Sequence, residues 1–251
     1  MTIKINRAAM AALMLTSSGL AVSSANADGS LKDTPAESTI VWTGIDKASG
    51  AFAGIAGFTT ALNGDLSASG FLLRGDGLYV HTDQGQIWEG SPLLGYQIVD
   101  SLFTFSTFIG VDFHKLPNSD STNVQGYETG FKVAASVETD EKERLVANIY
   151  GEYSTAFDSY WVRSRSGYNF KSFVIGPEAI LVGNQSFRAE RSGAFVLVPL
   201  EEYLGRPIDL TVSGGYQWVK GFDSQNIGNS APISTVGQTG GYFSVAVSFI
   251  F

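Results

Sequence analysis

The stretch Tyr127–Val137, with the sequence YETGFKVAASV, decides the fold class because its side chains fall into two interleaved sets. Along a β-strand, successive side chains point to opposite faces, so each set occupies one face. The odd-numbered face is apolar or aromatic apart from Thr129, whereas the even-numbered face carries Glu128 and Lys132 among small residues. This pattern is typical of a transmembrane strand that lies between lipid and a polar lumen.

The same alternation recurs on both sides of this stretch. Residues 145–153 repeat it after the turn Thr139-Asp140-Glu141-Lys142, and residues 103–113 and 208–218 do so as well. We therefore predict an all-β protein, a single antiparallel transmembrane β-barrel over residues 40–251 with about twelve strands. Ten strands is the alternative, since the first is short and residues 158–183 can be divided differently. The predicted strands lie near 40–47, 50–62, 70–82, 88–99, 102–113, 125–138, 143–156, 158–170, 172–183, 186–198, 207–220 and 239–251.

An even number of strands with both termini on the periplasmic side places the longer connections on the outer side. The two longest predicted connections, 114–124 and 221–238, fall at such positions and are rich in Asn, Ser, Gly and Pro. Residues of these types favour exposed loops.

The last predicted strand ends on an aromatic residue. Its apolar positions alternate with Tyr242, Ser244, Ala246 and Ser248. A terminal strand of this kind resembles the assembly signal that the barrel insertion machinery of the outer membrane recognises. An edge strand of a soluble sandwich is the alternative, although such a sandwich would leave apolar faces exposed to water. The residues of the expected signal are Phe243, Val245, Val247, Phe249 and Phe251.

The first 27 residues have the three parts of a secretory signal. Lys4 and Arg7 precede an apolar stretch that begins at Ala8, and Ala25-Asn26-Ala27 is a small-x-small cleavage site. The apolar stretch is short for a membrane span, so a retained anchor is the weaker alternative. We expect cleavage after Ala27, a periplasmic lead-in over 28–39 and residence in the outer membrane of a Gram-negative bacterium.

Composition excludes several classes of protein. The formal net charge of −8 opposes nucleic-acid binding, and the absence of cysteine excludes disulfides. The 29 glycines, 17 phenylalanines and 10 tyrosines, with only 16% charged residues, suit transmembrane strands better than an acidic soluble domain.

The sequence offers little material for catalysis. His81 and His114 are the two histidines, and a Ser-His-acid site would have to combine a histidine such as His81 with Asp83 and Ser91. No ligand spacing for a metal and no nucleotide-binding motif is present. We expect no catalytic residues, no metal and no cofactor.

Charged residues on the strands indicate what lies inside the barrel, because they are tolerated where they meet lumen water or each other. One interpretation is a network of ion pairs that fills a narrow lumen. The other is a permeation path, in which Trp161 shares a face with Arg163 and Arg165 and could stack on and hydrogen-bond sugars. The candidate lumen and glycan-contact residues are Arg74, Asp76, Lys132, Glu152, Trp161, Arg163, Arg165, Glu178, Arg188 and Glu190.

Three short segments near the start of the predicted barrel carry a family resemblance. They are Trp42-Thr43-Gly44-Ile45-Asp46, Ala61-Leu62-Asn63-Gly64-Asp65-Leu66 and Gly70-Phe71-Leu72-Leu73-Arg74. They resemble the cellulose biosynthesis protein BcsS family of alphaproteobacterial cellulose-secretion systems.

This resemblance implies a non-enzymatic role in the biosynthesis and export of cellulose or another exopolysaccharide, as a pore or as a scaffold of the secretion machinery. The implied partners are outer-membrane lipids, the barrel assembly machinery, the cellulose chain, and components of the cellulose synthase or secretion system. The alternatives are a general small-solute or oligosaccharide porin and an outer-membrane lipid-modifying enzyme that uses His81 or His114.

Overall fold

The computed structural model describes residues 37–82, 85–117, 125–139, 143–185, 187–221 and 238–251. Twelve antiparallel strands form a closed barrel, as predicted. Each predicted strand boundary lies within three residues of the observed one, the largest differences being at Gly85 and Leu116. The strands are β1 Thr39–Ala48, β2 Ala51–Ala61, β3 Gly70–Thr82, β4 Gly85–Val99, β5 Phe103–Leu116, β6 Gly126–Thr139, β7 Leu145–Ser154, β8 Ser159–Asn169, β9 Val174–Gly183, β10 Phe187–Pro199, β11 Ile208–Gly221 and β12 Gly240–Ile250.

The barrel closes where the first strand pairs with the last. Residues 40–48 of β1 pair with residues 242–250 of β12, and the backbone N–H groups of Ser38 and Thr39 both donate to the carbonyl of Phe251. Closure leaves no open sheet edge, which lipid could not satisfy with hydrogen bonds.

Two short helical pieces lie in the connections between strands. A 3₁₀ turn, Ala156–Asp158, joins β7 to β8, and helix α1, Glu201–Leu204, lies between β10 and β11. In the described ranges, no helix is long and apolar enough to cross a membrane.

The alternation of side chains follows the sequence pattern. On β6 the odd-numbered residues point outward, and Tyr127 and Phe131 are 81% and 52% exposed, while Lys132 is 1% exposed inside the barrel. The residues of the expected assembly signal lie on the outward face of β12, with Phe251 directly after the strand. Their recognition during assembly stays a prediction.

The two ends of the barrel differ in their connections. Both ends of the barrel sequence, near Thr39 and Phe251, lie at one end, and the two longest connections, from Pro117 to Gln125 and from 222 to 239, join strands at the other. Since outer-membrane barrels have short periplasmic turns and longer external loops, we term the first the periplasmic end and the second the outer end.

Some predictions concern residues outside the described ranges. These are the signal peptide with its cleavage site, the lead-in up to residue 36, Asp83, the turn residues Asp140–Lys142 and most of both long loops.

The connection between β2 and β3 reverses the chain and also places a side chain inside the barrel. Gly64 adopts a φ of +80°, which glycine tolerates, and the turn carries Leu66 into the barrel, where it is 1% exposed. The side-chain amide of Gln97 donates to the carbonyls of Leu66 and Ala68 at 2.8 and 2.7 Å. The turn therefore packs into the periplasmic mouth, which a simple tight turn would not do.

Replacing Ile109 by arginine should destabilise the barrel by about 2–4 kcal/mol. Ile109 lies near the middle of β5 on the outward face and is 55% exposed, so the charge would face the hydrocarbon core. Reversible unfolding in phospholipid vesicles measures the change. Tyr127→Arg, at the outer end of β6, is the control and should cost about 0–1 kcal/mol. Equal costs for the two variants would contradict the assigned membrane position.

Candidate functional site in the barrel lumen

The lumen is built in three layers along the barrel axis. An apolar layer lies at the periplasmic end, a polar layer in the middle and a second apolar layer at the outer end. The periplasmic layer includes Ile40, Leu66, Leu72, Leu197 and Ile250, and the outer layer includes Val80, Ile87, Leu116, Val182 and Phe187. The inward face of the strands thus carries apolar as well as polar residues toward both ends, which corrects the expectation of a uniformly polar lumen.

Lys132 is the centre of one polar group, which we call the Lys132 cluster: Lys132, Glu89, Glu152 and Ser91. Its ammonium lies 2.6 Å from Glu89 Oε1 and 3.3 Å from Glu152 Oε2, and it donates to Ser91 Oγ at 3.3 Å. Ser91 donates in turn to Asp112 Oδ1 at 2.9 Å. The cluster comes from β4, β6 and β7, and the bond to Asp112 adds β5, so these contacts tie four strands together.

Arg74 lies in an aromatic cage that reaches across the lumen. Its guanidinium carbon is 4.9 Å from the ring centroid of Trp42, 5.1 Å from that of Phe108 and 5.0 Å from that of Tyr150. These rings belong to β1, β5 and β7, while Arg74 belongs to β3. Such cation–π contacts are strong when water is excluded.

Two further contacts join this cage to its surroundings. Arg74 Nε donates to both carboxylate oxygens of Asp76 at 3.0 and 3.1 Å. Tyr150 donates to Glu152 Oε2 at 2.7 Å, which connects the cage to the Lys132 cluster. Gly57 makes room for Trp42, since a Cβ at this position would lie 2.5 Å from the indole ring.

A second polar group, the Glu178 cluster, comprises Glu178, Arg165, Ser213 and Tyr242. Arg165 forms an ion pair with Glu178 and donates to Ser213 Oγ at 2.9 Å. Tyr242, on β12, donates to Glu178 Oε1 at 3.1 Å. Beside this cluster, Arg191 donates to Asp46 at 3.1 Å and to Gln217 at 3.1 Å. Together these contacts connect the inward faces of β8 to β12 with that of β1.

Arg163 differs from the other lumen arginines. It is 4% exposed, yet its Nε and one Nη have no hydrogen-bond partner among the described residues, and the indole N–H of the adjacent Trp161 has none there either. Its guanidinium lies 5.2 Å from the Trp161 ring centroid. A buried polar group without a partner loses its hydration without compensation.

We expect opposite effects from removing the two neighbouring arginines. Arg163→Met should leave the free energy of unfolding unchanged or raise it, because no bonded carboxylate is left behind. Arg165→Met should lower it by about 3 kcal/mol or more, because Glu178 would remain buried without its ion pair. Urea unfolding of the two variants in the same detergent compares them. A larger loss for Arg163→Met would contradict the assigned contacts.

Eight of the predicted lumen residues face inward, and the structure brings them into the groups described above. They are Arg74, Asp76, Lys132, Glu152, Trp161, Arg163, Arg165 and Glu178. The indole ring of Trp161 packs against the ring of Tyr150, and the two centroids are 5.4 Å apart.

The prediction that Arg188 and Glu190 face the lumen was wrong. Both side chains lie on the outward face of β10, are 45% and 44% exposed and form an ion pair at 3.0 Å. The inward charge on β10 is Arg191, one residue further along.

Several lumen residues were not among the sequence candidates, although the alternation on their strands would have identified them. Glu89 shares the inward face of β4 with Ser91, and Asp112 lies between outward-facing Val111 and Phe113 on β5. The others are Trp42, Asp46, Tyr150, Arg191, Gln217 and Tyr242.

The histidines do not assemble with Ser91 as a Ser-His-acid site requires. His81 is exposed on the outward face of β3, whereas Ser91 faces the lumen, and Asp83 lies outside the described residues. His114 is 2% exposed, with its ring edge-to-face against Phe157 and its Nδ1 3.9 Å from Asp112.

At the outer end, the connection between β7 and β8 carries an exposed carboxylate. Gln185 and Tyr153 each donate to Asp158 at 2.8 Å. These hydrogen bonds, the one from Gln185 first, lower the pKa of Asp158 below its usual value, so this position stays anionic at neutral pH.

Comparison with known proteins places this architecture among porin-like barrels. The chain is similar in fold to the KdgM porin, with a TM-score of 0.52 and 10% identity over 84% of this chain and 99% of that one. It is also similar to the KdgM porin in complex with disordered oligogalacturonate, with a TM-score of 0.50 and 9% identity over the same shares of both chains. Among individually curated proteins, no sequence matches this chain.

The sequence comparison is more specific than the likeness of folds. The family described as cellulose biosynthesis protein BcsS matches residues 40–251, which comprise the barrel. This match includes the three segments that resemble the family. The chain belongs to the cellulose biosynthesis protein BcsS family.

Proposed function

We propose that this protein is a non-enzymatic outer-membrane component of cellulose or exopolysaccharide biosynthesis and export, and that its barrel serves as a scaffold for the secretion machinery with a closed lumen. The family supports the link to cellulose. The observation that favours a scaffold over a pore is the burial of the side chains at the centre of the barrel: Tyr150 and Trp161 are 0% exposed and Lys132 is 1% exposed.

This burial bears on the pore question because a water-filled channel wets the side chains that line it. Barrels of about eight strands have an interior filled by side chains, and those of about sixteen to eighteen hold an aqueous channel. Twelve strands lie between these limits, so the side chains that face the lumen determine whether it is filled or open. Here Arg74 reaches the rings of Trp42 and Tyr150 on other strands, and Tyr242 reaches Glu178. A glucan chain would have to displace these contacts.

The apolar layers favour the same conclusion. Leu66 and its turn occupy the periplasmic mouth, where Gln97 holds them, and Ile87, Leu116 and Phe187 are 0% exposed near the outer end. A polar sugar gains little from apolar constrictions, which oppose its passage and that of ions.

A scaffold needs a surface for its partners. At the periplasmic end, helix α1 presents Tyr203 and Leu204, which are 75% and 57% exposed. We place the contact with periplasmic secretion components at this helix.

An oligosaccharide porin is the second candidate. Trp161, Arg163 and Arg165 share the inward face of β8, as a sugar-binding stripe would, and the KdgM porin of similar fold has been solved with oligogalacturonate. Arg163 has donor atoms without a partner in the described residues, which a sugar hydroxyl or carboxylate would fill. In this hypothesis the side chains that fill the lumen must move aside.

Complementation of a deletion strain separates the two hypotheses. Deletion should abolish or strongly reduce extracellular cellulose, and the wild-type chain should restore it. Arg163→Met should restore it fully, because a scaffold does not use the lumen, whereas Tyr203→Ser with Leu204→Ser should not. Immunoblots of folded barrel in the outer membrane control for expression. Normal cellulose in the deletion strain would contradict the proposal, and loss with Arg163→Met at normal barrel levels would favour a glycan path.

A further inference from the structure

A row of hydrogen-bond donors crosses the outward face of four neighbouring strands at the outer end. Tyr160 on β8 is opposite Gly183 on β9, Gly183 is opposite Arg188 on β10, and Arg188 is opposite Lys220 on β11. Directly opposite residues of antiparallel strands share one face of the sheet. Tyr160, Arg188 and Lys220 therefore point the same way, toward the membrane surface.

Gly183 leaves a notch in this row, and the Tyr160 hydroxyl fills part of it. A Cβ at Gly183 would lie 2.5 Å from that hydroxyl oxygen. The phenol thus leans over β9 toward the strand that carries Arg188. Tyr160 and Arg188 flank this position, which has no side chain, and Lys220 lies one strand beyond Arg188.

Arg188 and Lys220 are like charges in a direct cross-strand pair, an arrangement that destabilises a sheet unless an anion compensates it. Glu190, two residues further along β10, forms an ion pair with Arg188. One carboxylate faces two cations, so this patch keeps a net positive charge in a protein whose formal net charge is −8. Among the cross-strand neighbours that the structure describes, the patch lacks one matching anion.

The residues below the row are suited to acyl chains. Two positions toward the membrane centre, the outward residues are Val162, Leu181 and Trp218, with Glu190 between the last two. Along β11 the outward series runs from Ile208, Leu210 and Val212 through Tyr216 and Trp218 to Lys220. Aliphatic residues, then aromatic residues, then a cation follow the depth profile of hydrocarbon, interface and headgroup.

Other strands repeat this ending. The outward series of β1 ends on Lys47 and that of β5 ends on Lys115, both at the outer end. Among the described strands, no outward-facing Lys or Arg lies at the periplasmic end. At that end the basic residues Arg144, Lys171 and Arg206 lie in the connections instead, so the outward-facing basic residues of the described strands all lie on the side of the outer leaflet.

We infer that Tyr160, Arg188 and Lys220 form a binding site for the phosphate group of an outer-leaflet lipid of the lipid A type, whose acyl chains lie along Val162, Leu181 and Trp218. Guanidinium and ammonium groups are the usual ligands of phosphate, and lipid phosphates are the anions present at this depth. The inference rests on the position of the barrel in the membrane and is independent of the proposed role in cellulose export.

The test is a lipid titration of the whole purified barrel in detergent. The probes are bis-phosphorylated lipid A and its chemically dephosphorylated form, and the readouts are lipid retention in native mass spectrometry and the unfolding temperature. The wild type should retain the phosphorylated lipid and be stabilised by it, and should bind the dephosphorylated lipid more weakly. Arg188→Gln with Lys220→Gln should weaken binding of the phosphorylated lipid by roughly tenfold.

The matched control removes the same charge at the other end of the barrel. Lys171→Gln with Arg206→Gln, in connections at the periplasmic end, should bind both lipids as the wild type does. Arg188→Lys should retain most of the affinity, because it keeps the charge. Equal binding by the Arg188/Lys220 variant and the wild type would overturn the inference. So would a wild type that binds both lipids alike, or equal losses in the control.

Discussion

Replacing Lys132 by methionine is expected to lower the free energy of unfolding by about 3–5 kcal/mol, because it leaves buried carboxylates without a partner. Lys132 lies 2.6 Å from Glu89 and 3.3 Å from Glu152, and the side chains of all three residues are at most 2% exposed. Methionine keeps most of the volume of the side chain, so the loss reflects electrostatics more than packing.

Unfolding in urea, followed by the heat-dependent shift of the folded barrel on a gel, measures this loss. Lys115→Met is the control, since Lys115 is half-buried and stacks on Tyr127 at the outer rim, 5.0 Å from its ring. It should change stability by less than about 1 kcal/mol. A Lys132→Met barrel as stable as the control would contradict the Lys132 cluster. The triple variant Lys132→Met, Glu89→Gln, Glu152→Gln should recover part of the loss.

The second large effect is expected from Tyr150→Ala combined with Trp161→Ala, which should open a water-filled cavity in the middle of the lumen, between the two apolar layers. The two rings are fully buried, and their centroids are 5.4 Å apart in the middle of the lumen. Removing them opens space beside Arg163 and Arg74, both of which contact these rings. The polar lining makes this space one that water enters.

The same double variant should be destabilised by several kcal/mol, because truncating a buried aromatic ring typically costs about 3–5 kcal/mol. Hydrogen–deuterium exchange of β7 and β8 measures the entry of water, and the folded fraction is controlled by gel shift. Tyr216→Ala with Trp218→Ala removes a comparable pair from the outward face, where the rings are 45% and 47% exposed. This control should exchange no faster than the wild type in β7 and β8. Unchanged exchange in the folded Tyr150/Trp161 variant would show that these rings do not keep water out of the centre of the lumen.

The fold was predictable because alternation on a strand is a local property. The odd and even faces of β6 differ within eleven residues, and the same alternation recurs on β5, β7 and β11. The strand count then follows from the number of such segments. The boundaries shifted most at β4 and β5, where Gly85 and Leu116 extend strands into what the sequence presents as loop.

The error on β10 has a physical cause. The inward residues of this strand are mostly apolar, from Phe187 and Ala189 to Phe195 and Leu197, because they pack in the two apolar layers. If the whole lumen is assumed to be polar, the face of β10 that carries Arg188 and Glu190 is therefore assigned to the inside. On other strands, inward residues such as Leu72, Val80 and Ile87 also indicate that apolar side chains face the lumen toward its ends.

The contacts across the lumen could not be predicted from local pattern. Arg74 meets rings from β1, β5 and β7, and that meeting depends on how closure and tilt set the strands against one another. Parity places a side chain inside the barrel but does not give its partner. For the same reason, Arg163 and Arg165 look equivalent in sequence, while only Arg165 has its carboxylate.

Single-channel recording of the refolded wild-type barrel in a planar bilayer, with and without cello-oligosaccharides, tests the closed lumen most directly. The barrel should give no stable conductance steps, and the sugars should make no difference, because Arg74, Lys132, Tyr150 and Trp161 fill the centre of the lumen. Regular steps that cello-oligosaccharides block would contradict a closed scaffold and would make the lumen a path for glucan.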